Sequence, residues 1–173
     1  MKKLTIIGAS GHGKVVADIA RRNGYERIEF LDDNPLIKEC GGYPVVGKTD
    51  TVIDGDLFIA IGNAKIRNQL STGKKLVTLI HPDSIIANDV MIDEGTVVMA
   101  GVVINSGASI GRGCIINTCS SVDHDCQLGN YVHIAVGAHL CGTVSVGDYL
   151  SSLNRIKAFP SEIIGSFELR RGA

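Results

Sequence analysis

The densest polar cluster in the second half of this chain is Asn117, then Ser120-Ser121-Val122-Asp123-His124-Asp125-Cys126, then His133 and His139. Of these, His124 is the candidate general base. Imidazole titrates near neutral pH and can take a proton from an amine or hydroxyl as that group attacks an acyl carbon. Asp123 or Asp125 is placed to orient the ring. The remaining histidines raise the question of a metal, which would need three or four ligands converging on one point.

What holds these groups is a period of six. Aliphatic residues return at Ile80, Ile86, Ile92, Val98, Ile104, Ile110, Ile116, Val122, Leu128, Ile134, Leu140 and Val146. Four positions after each of the first eleven stands a small or β-branched residue: Ser84, Val90, Thr96, Val102, Ala108, Cys114, Ser120, Cys126, Val132, Ala138 and Val144. Six fits neither the 3.6-residue helix nor a plain alternating strand, but it fits the short strands of a parallel β-helix. With three hexapeptides per triangular coil, residues eighteen apart stack at the inter-strand spacing of about 4.8 Å. Gly142 then lies above His124, where its N–H could face a developing oxyanion; the other reading is that it leaves room at a corner. His133 and His139 fall on successive faces and diverge, so no metal is expected within one chain. Gly95, Gly101, Gly107, Gly113 and Gly137 mark corners that favour positive φ. Cys114 and Cys126 read as small buried hydrophobes.

The first 80 residues have a different grammar. A strand over 3–7 runs into Gly8-Ala9-Ser10-Gly11-His12-Gly13 and a helix over 14–23 with Val15, Val16, Ile19 and Ala20 on one side. Such a turn brings N–H groups and a helix N-terminus to a site suited to phosphate, although GxxGxG is not the dinucleotide spacing. A strand over 27–31 ends in Asp32-Asp33, either acceptors for a ribose or base, or a solvated turn. Residues 41–47 read as a turn leading into a short extended segment. A strand over 57–61 leads through Gly62-Asn63 into a helix over 64–70, with Asn63 either a ligand contact or a helix cap. A last strand is expected over 75–80. The alternation gives a small Rossmann-like α/β domain over 1–80, followed by a parallel β-helix over 81–148.

Composition narrows the partners. The 173 residues carry 17 Lys and Arg against 18 acids, which gives no electrostatic reason to expect nucleic acid or an anionic membrane. Five cysteines without a CxxC pair, and no signal peptide, point to a reducing cytoplasm. No segment is long and apolar enough to span a bilayer.

Taken together, Gly8 to Gly13, Phe30-Leu31-Asp32-Asp33, Ile61-Gly62-Asn63, Asn117, Val122-Asp123-His124-Asp125-Cys126 and His133 resemble the sugar O-acyltransferases of the sialic-acid O-acetyltransferase type. That group includes bacterial N-acetyltransferases of UDP-4-amino-sugars. The resemblance covers residues 1 to about 148 and implies a left-handed β-helix and a homotrimer with sites between subunits. It places a nucleotide-sugar on the N-terminal domain and acetyl-CoA on the β-helix. His124 matches the base and Asp125 its acidic partner; Asn117 and His133 match groups lining the acceptor site, and His12 a residue of the glycine turn near the sugar. The implied activity is N-acetylation of a nucleotide-linked amino sugar for surface glycan or polysaccharide synthesis, with sugar O-acetylation second. From Tyr149 onward the period of six is lost. The tail over 149–173 reads either as a partly helical cap or as the mark of a truncated, catalytically incomplete nucleotide-sugar-binding trimer.

Overall fold

Two hydrophobic patterns divide the chain, runs of four or five apolar residues before position 60 and single aliphatics at period six after it, and each builds its own sheets. In the computed structural model, residues 1–153, 157–158 and 163–164 are described.

The runs form β1 (Lys3–Ile7), β2 (Arg27–Leu31) and β5 (Asp56–Ile59), whose residues are almost all buried, as parallel strands covered on both faces must be. β3 (Glu39–Cys40) and β4 (Tyr43–Gly47) complete the sheet in the order β3-β4-β2-β1-β5. Only the β3–β4 pair is antiparallel. The turn leading into a short extended segment expected over 41–47 is a turn at 41–42 followed by β4. Pro44 cannot donate to a ladder, but pairing with β2 starts one residue later, at Val45 opposite Phe30.

Helix α1 (Gly11–Arg22) starts three residues before the expected position, because Ser10 caps it and accepts from the Gly13 N–H at 3.4 Å. Val16, Ala17, Ile19 and Ala20 are its buried face, whereas Val15 is exposed. Helix α2 (Ala64–Ser71) is capped by Asn63, which accepts from the Ile66 N–H at 3.1 Å. The strand expected over 75–80 shrinks to Leu79–Ile80 and does not join this sheet. The apolar run crosses a junction: Leu76 fills the small core beneath Ile7, Leu31 and Leu57, while Leu79 and Ile80 pair with Val97 and Val98.

Leu79–Ile80 is thus the first rung of a three-sided stack of parallel strands. The first face continues through Val97–Val98, Ile115–Ile116, His133–Ile134 and Ser151–Leu153. The second holds Ile85–Ile86, Val103–Ile104, Ser121–Val122, His139–Leu140 and Lys157–Ala158. The third holds Met91–Ile92, Ser109–Ile110, Gln127–Leu128, Ser145–Val146 and Ile163–Ile164. Partners lie eighteen residues apart, as in Ser121 opposite His139. The aliphatics from Val98 to Val146 at period six fill the interior, with Ile80 at the lower end 36% exposed.

Every sixth residue from 95 to 149 sits at a corner with positive φ. Five are glycines, but Cys119, Asp125, Tyr131, Thr143 and Tyr149 adopt φ of 55, 58, 58, 62 and 61°. A non-glycine residue there costs roughly 1–2 kcal/mol, so the stack imposes this turn against local preference. The sequence hides these corners because nothing but glycine advertises them.

The break expected after residue 148 is narrower than the side-chain pattern suggests. Ser152 lands where an inward aliphatic belongs, and the register shifts so that Leu153 stands opposite Ile134. Main-chain pairing then resumes, with Lys157 opposite His139 and Ile163 opposite Ser145. Strands, not a helix, are what the described part of the tail contains. Arg155, Arg170 and Arg171 lie outside the described residues.

The N-terminal unit docks on the first face, where the outward residues Leu79, Val97 and Ile115 are buried in one core with Ile19, Ala20 and Tyr25. Alongside, α2 lies against the corner between third and first faces. Arg67 is 2% exposed and donates to Ile61 O, Gly62 O, Gly113 O and Tyr131 O at 2.8–3.0 Å. The rings of Tyr131 and Tyr149 stack; the Tyr131 hydroxyl is 2.7 Å from Ser71 Oγ, and the Tyr149 hydroxyl accepts from Asn68 Nδ2 at 3.0 Å.

Candidate functional site

The glycine turn is tightly packed on one side and open on the other. A Cβ on Gly8, at φ 107°, would come within 2.8 Å of Ala60 O, and one on Gly13 within 3.0 Å of the Phe30 ring. Gly11 has open space instead, and with His12 it presents first-turn N–H groups at the positive end of α1. Asp32 clamps the turn, accepting from Ala9 N–H at 2.8 Å and from Asn34 N–H at 2.9 Å. Asp33 accepts from the Thr49 N–H and hydroxyl, hydrogen bonds that hold its carboxyl below the usual range. Both acids border a cavity of about 280 Å³ with Ile37, Lys38, Val45 and Lys48. Asn63 is occupied as a cap, as the plainer of its two readings had it.

Where the turn meets the first face, His12 comes close to His133. Burial, then the neighbouring His133 and Arg67, lower the His12 imidazole to about 4. Burial and Arg67 likewise bring His133 to about 4. Both rings are neutral at pH 7, and His12 Nε2 is buried with no hydrogen-bond partner among the described residues. Asn117 fixes the tautomer of His133. Its Oδ1 accepts from the Thr118 N–H at 2.8 Å, so its Nδ2 is the donor at 3.1 Å to His133 Nε2. Nε2 must then be the acceptor, which leaves the proton on Nδ1. The result is a pocket edge of neutral hydrogen-bonding groups, fit to hold a polar acceptor without charging it.

A second cluster stands at the corner between second and third faces. His124 Nδ1 and Asp125 Oδ2 are 2.9 Å apart, so Asp125, not Asp123, orients the ring. Asp123 turns instead to Asn105 Nδ2 at 2.7 Å and the His124 N–H at 2.8 Å. The hydrogen bond to Asp125, then the Asp123 and Asp125 charges, raise the His124 pKa despite some opposing desolvation. With Nδ1 engaged, Nε2 is the basic atom. Gly142 lies against the ring as the eighteen-residue ruler requires, and the following Thr143 N–H donates to His124 O at 2.8 Å. A Cβ on Gly142 would fall 2.5 Å from His124 Cε1 and 2.8 Å from Cδ2. Gly142 therefore makes room for the imidazole.

The two clusters do not meet within one chain. His133 points outward from the first face, while His124 is at the corner where the other two faces join. The prism lies between them. His139 is on the second face, 2.9 Å from Ser121 Oγ. No group of three or more potential metal ligands occurs among the described residues.

Sequence reasoning missed Arg67, which looks like one more surface cation on a short helix, and the tyrosine pair that flanks it. The signal was present in Tyr131 and Tyr149, two aromatics eighteen apart at a corner position.

Known proteins share the sequence and fold of much of this chain. The PglD N-terminal domain family matches residues 3–73. The chain is 38% identical over 113 residues to UDP-N-acetylbacillosamine N-acetyltransferase of Bacillus subtilis (strain 168), covering 58% of this chain and 52% of that protein. It therefore spans about half the length of that relative. With GDP-perosamine N-acetyltransferase of Escherichia coli O157:H7 it shares 30% identity over 159 residues, 83% of this chain and 72% of the relative. The acetyltransferase domain of PglB from Neisseria gonorrhoeae FA1090, solved with acetyl coenzyme A, superimposes with a TM-score of 0.79 at 38% identity, covering 85% of each chain.

Proposed function

Because this chain belongs to the sugar acetyltransferases that carry a PglD-type N-terminal domain, we propose that it transfers the acetyl group of acetyl-CoA to the amino group of a nucleotide-linked sugar. The observation that carries this reading is the pairing of a phosphate-type glycine turn beside neutral His12 and His133 with an Asp125-oriented base. Residues 1–80, as a Rossmann-like unit, hold the nucleotide-sugar. Residues 81–148, as a left-handed β-helix, carry the transfer, with the later coils alongside acetyl-CoA. His124 Nε2 takes the proton as the amine nitrogen attacks the thioester carbon. The C–N bond forms, the C–S bond breaks, and coenzyme A leaves as a thiolate that the imidazolium can protonate. The Gly142 N–H faces the oxyanion of the tetrahedral intermediate. The direct geometry needs no covalent enzyme intermediate. The protein acts in the cytoplasm, and among the described residues no helix is long and apolar enough to cross a membrane.

The acceptor groups and the base are separated by the prism, which supports a site shared between copies in a homotrimer. A chain carrying His12→Ala with His133→Ala and a chain carrying His124→Ala are each expected to be inactive alone. Co-assembled in equal amounts they restore about a quarter of wild-type turnover, since one interface in four joins an intact acceptor side to an intact base. Acetylation of UDP- and GDP-linked amino sugars by purified mixed oligomers measures this. No recovery in a verified mixed oligomer would rule out the shared site.

The Asp125 hydrogen bond gives a pH signature. Asp125 stabilises the imidazolium and raises the His124 pKa, so Asp125→Asn lowers it and more of the base is neutral at acidic pH. The acidic limb of kcat/KM against pH is expected to move to lower pH in this variant, with a lower plateau because the ring is less well held. An unmoved limb would assign the titration to another group.

A further inference from the structure

Among the described residues no carboxylate pairs with Arg67, although it is almost fully buried. Burying a guanidinium without an anion is costly. Here all the compensation comes from main-chain carbonyls, and those carbonyls belong to three separate parts of the molecule. Ile61 O and Gly62 O, at 2.9 and 2.8 Å, lie on the turn after β5. That turn abuts the glycine turn, since a Cβ on Gly8 would touch Ala60 O and Ile61 Cγ1. Gly113 O and Tyr131 O, at 3.0 and 2.9 Å, are corner carbonyls of two successive coils. Tyr131 is two residues before His133, and Gly113 four before Asn117.

We infer that Arg67 is a positioning residue of the acetyl-acceptor site: its fork fixes the glycine turn that carries His12 against the coils that carry Asn117 and His133. The assignment rests on the acetyltransferase reading above. Arginine suits the task and lysine does not, because a planar fork reaches carbonyls on both sides of the interface at once, whereas an ammonium is a single point on a flexible stem. The position of the charge matters as well. A fixed cation near both imidazoles opposes their protonation, in the same direction as burial. Among the described residues, the other charged or titratable groups facing this junction are Tyr131, hydrogen-bonded to Ser71, Arg112, paired with Glu94, and the buried Cys114. None of these is among the groups that perturb the two histidines. Arg67 thus acts on the acceptor side of the reaction and leaves His124, across the prism, untouched.

The test uses the full chain with Arg67→Lys and Arg67→Gln, and reads steady-state kinetics together with histidine NMR titrations. Arg67→Lys keeps the charge and loses the fork. It is expected to raise KM for the nucleotide-sugar at least tenfold, with KM for acetyl-CoA within twofold of wild type. Arg67→Gln also removes the charge, and the titrations of His12 and His133 are expected to move up toward the ordinary imidazole value while that of His124 stays in place. Equal KM changes for both substrates in Arg67→Lys would mean general loosening and overturn the assignment, as would a folded Arg67→Gln protein with unchanged histidine titrations. The NMR readout does not depend on turnover. A wild-type protein inactive on amino-sugar nucleotides would sink the functional reading and leave the interdomain fork to be judged on the titrations alone.

Discussion

Replacing His124 with alanine is expected to lower kcat by roughly 10²–10⁴-fold, the range that a positioned general base contributes, while nucleotide-sugar binding is retained. The expectation follows from where the ring sits. Its Nδ1 is held by Asp125 at 2.9 Å, so Nε2 is the atom left to accept a proton. The side chain is 57% exposed, and its removal opens no core cavity, so the melting temperature should stay within about 2 °C of wild type. The acceptor groups His12, Asn117 and His133 are on the other side of the prism and keep their geometry. Calorimetric titration with the nucleotide-sugar, run beside an acetylation assay, separates the two effects. A His124→Ala enzyme with wild-type turnover would remove the proposed mechanism.

Gly142→Ala should have the second largest effect, and for a different reason. The backbone at Gly142 is not in the left-handed region, so alanine is tolerated by the main chain. Its methyl group is not tolerated by the imidazole, which occupies the space a Cβ would fill. The ring has to swing away, and the bond to Asp125 or the aim of Nε2 is lost with it. A displacement of this size in a reacting group costs on the order of 10²-fold in kcat. Alanine keeps the N–H, so this loss would report the space that glycine provides and not the oxyanion contact. Gly113→Ala makes the contrast, since its Cβ would fall 2.5 Å from the Tyr131 ring at a φ of 65° and should destabilise the fold itself. Full turnover in Gly142→Ala would show that the ring can work from another position.

How far the sequence reached depends on which force shaped each part. The coil was legible because burial at every sixth residue is written directly into side-chain types, and the stacking of Gly142 on His124 followed from counting alone. The extended stretch of β4 was legible too but its place in the sheet was not, since Pro44 has no N–H to donate, yet it stands opposite Glu39 while pairing with β2 starts at Val45. The rungs beyond residue 148 were obscured for a related reason. Main-chain pairing continues where the inward aliphatic has become Ser152, and side-chain periodicity cannot register a ladder that persists without it. Candidate site residues such as Asn117, His124 and His133 stood out by type and spacing, and His12 through the family resemblance. Arg67 was out of reach because its four acceptors are main-chain carbonyls, which carry no signature in the sequence.

The Arg67 fork also has a consequence in time. Two of its acceptors, Gly113 O and Tyr131 O, are 46 and 64 residues further along the chain. On a ribosome adding about 5–20 residues per second, the second of them is made roughly 3–13 s after the arginine. The parallel sheet can form in that interval, since its strand pairing is complete by residue 59. The α2 end cannot settle, because its guanidinium has nowhere dry to go until two coils are in place. Translation therefore delivers the N-terminal half first and leaves its final fit to the half that follows.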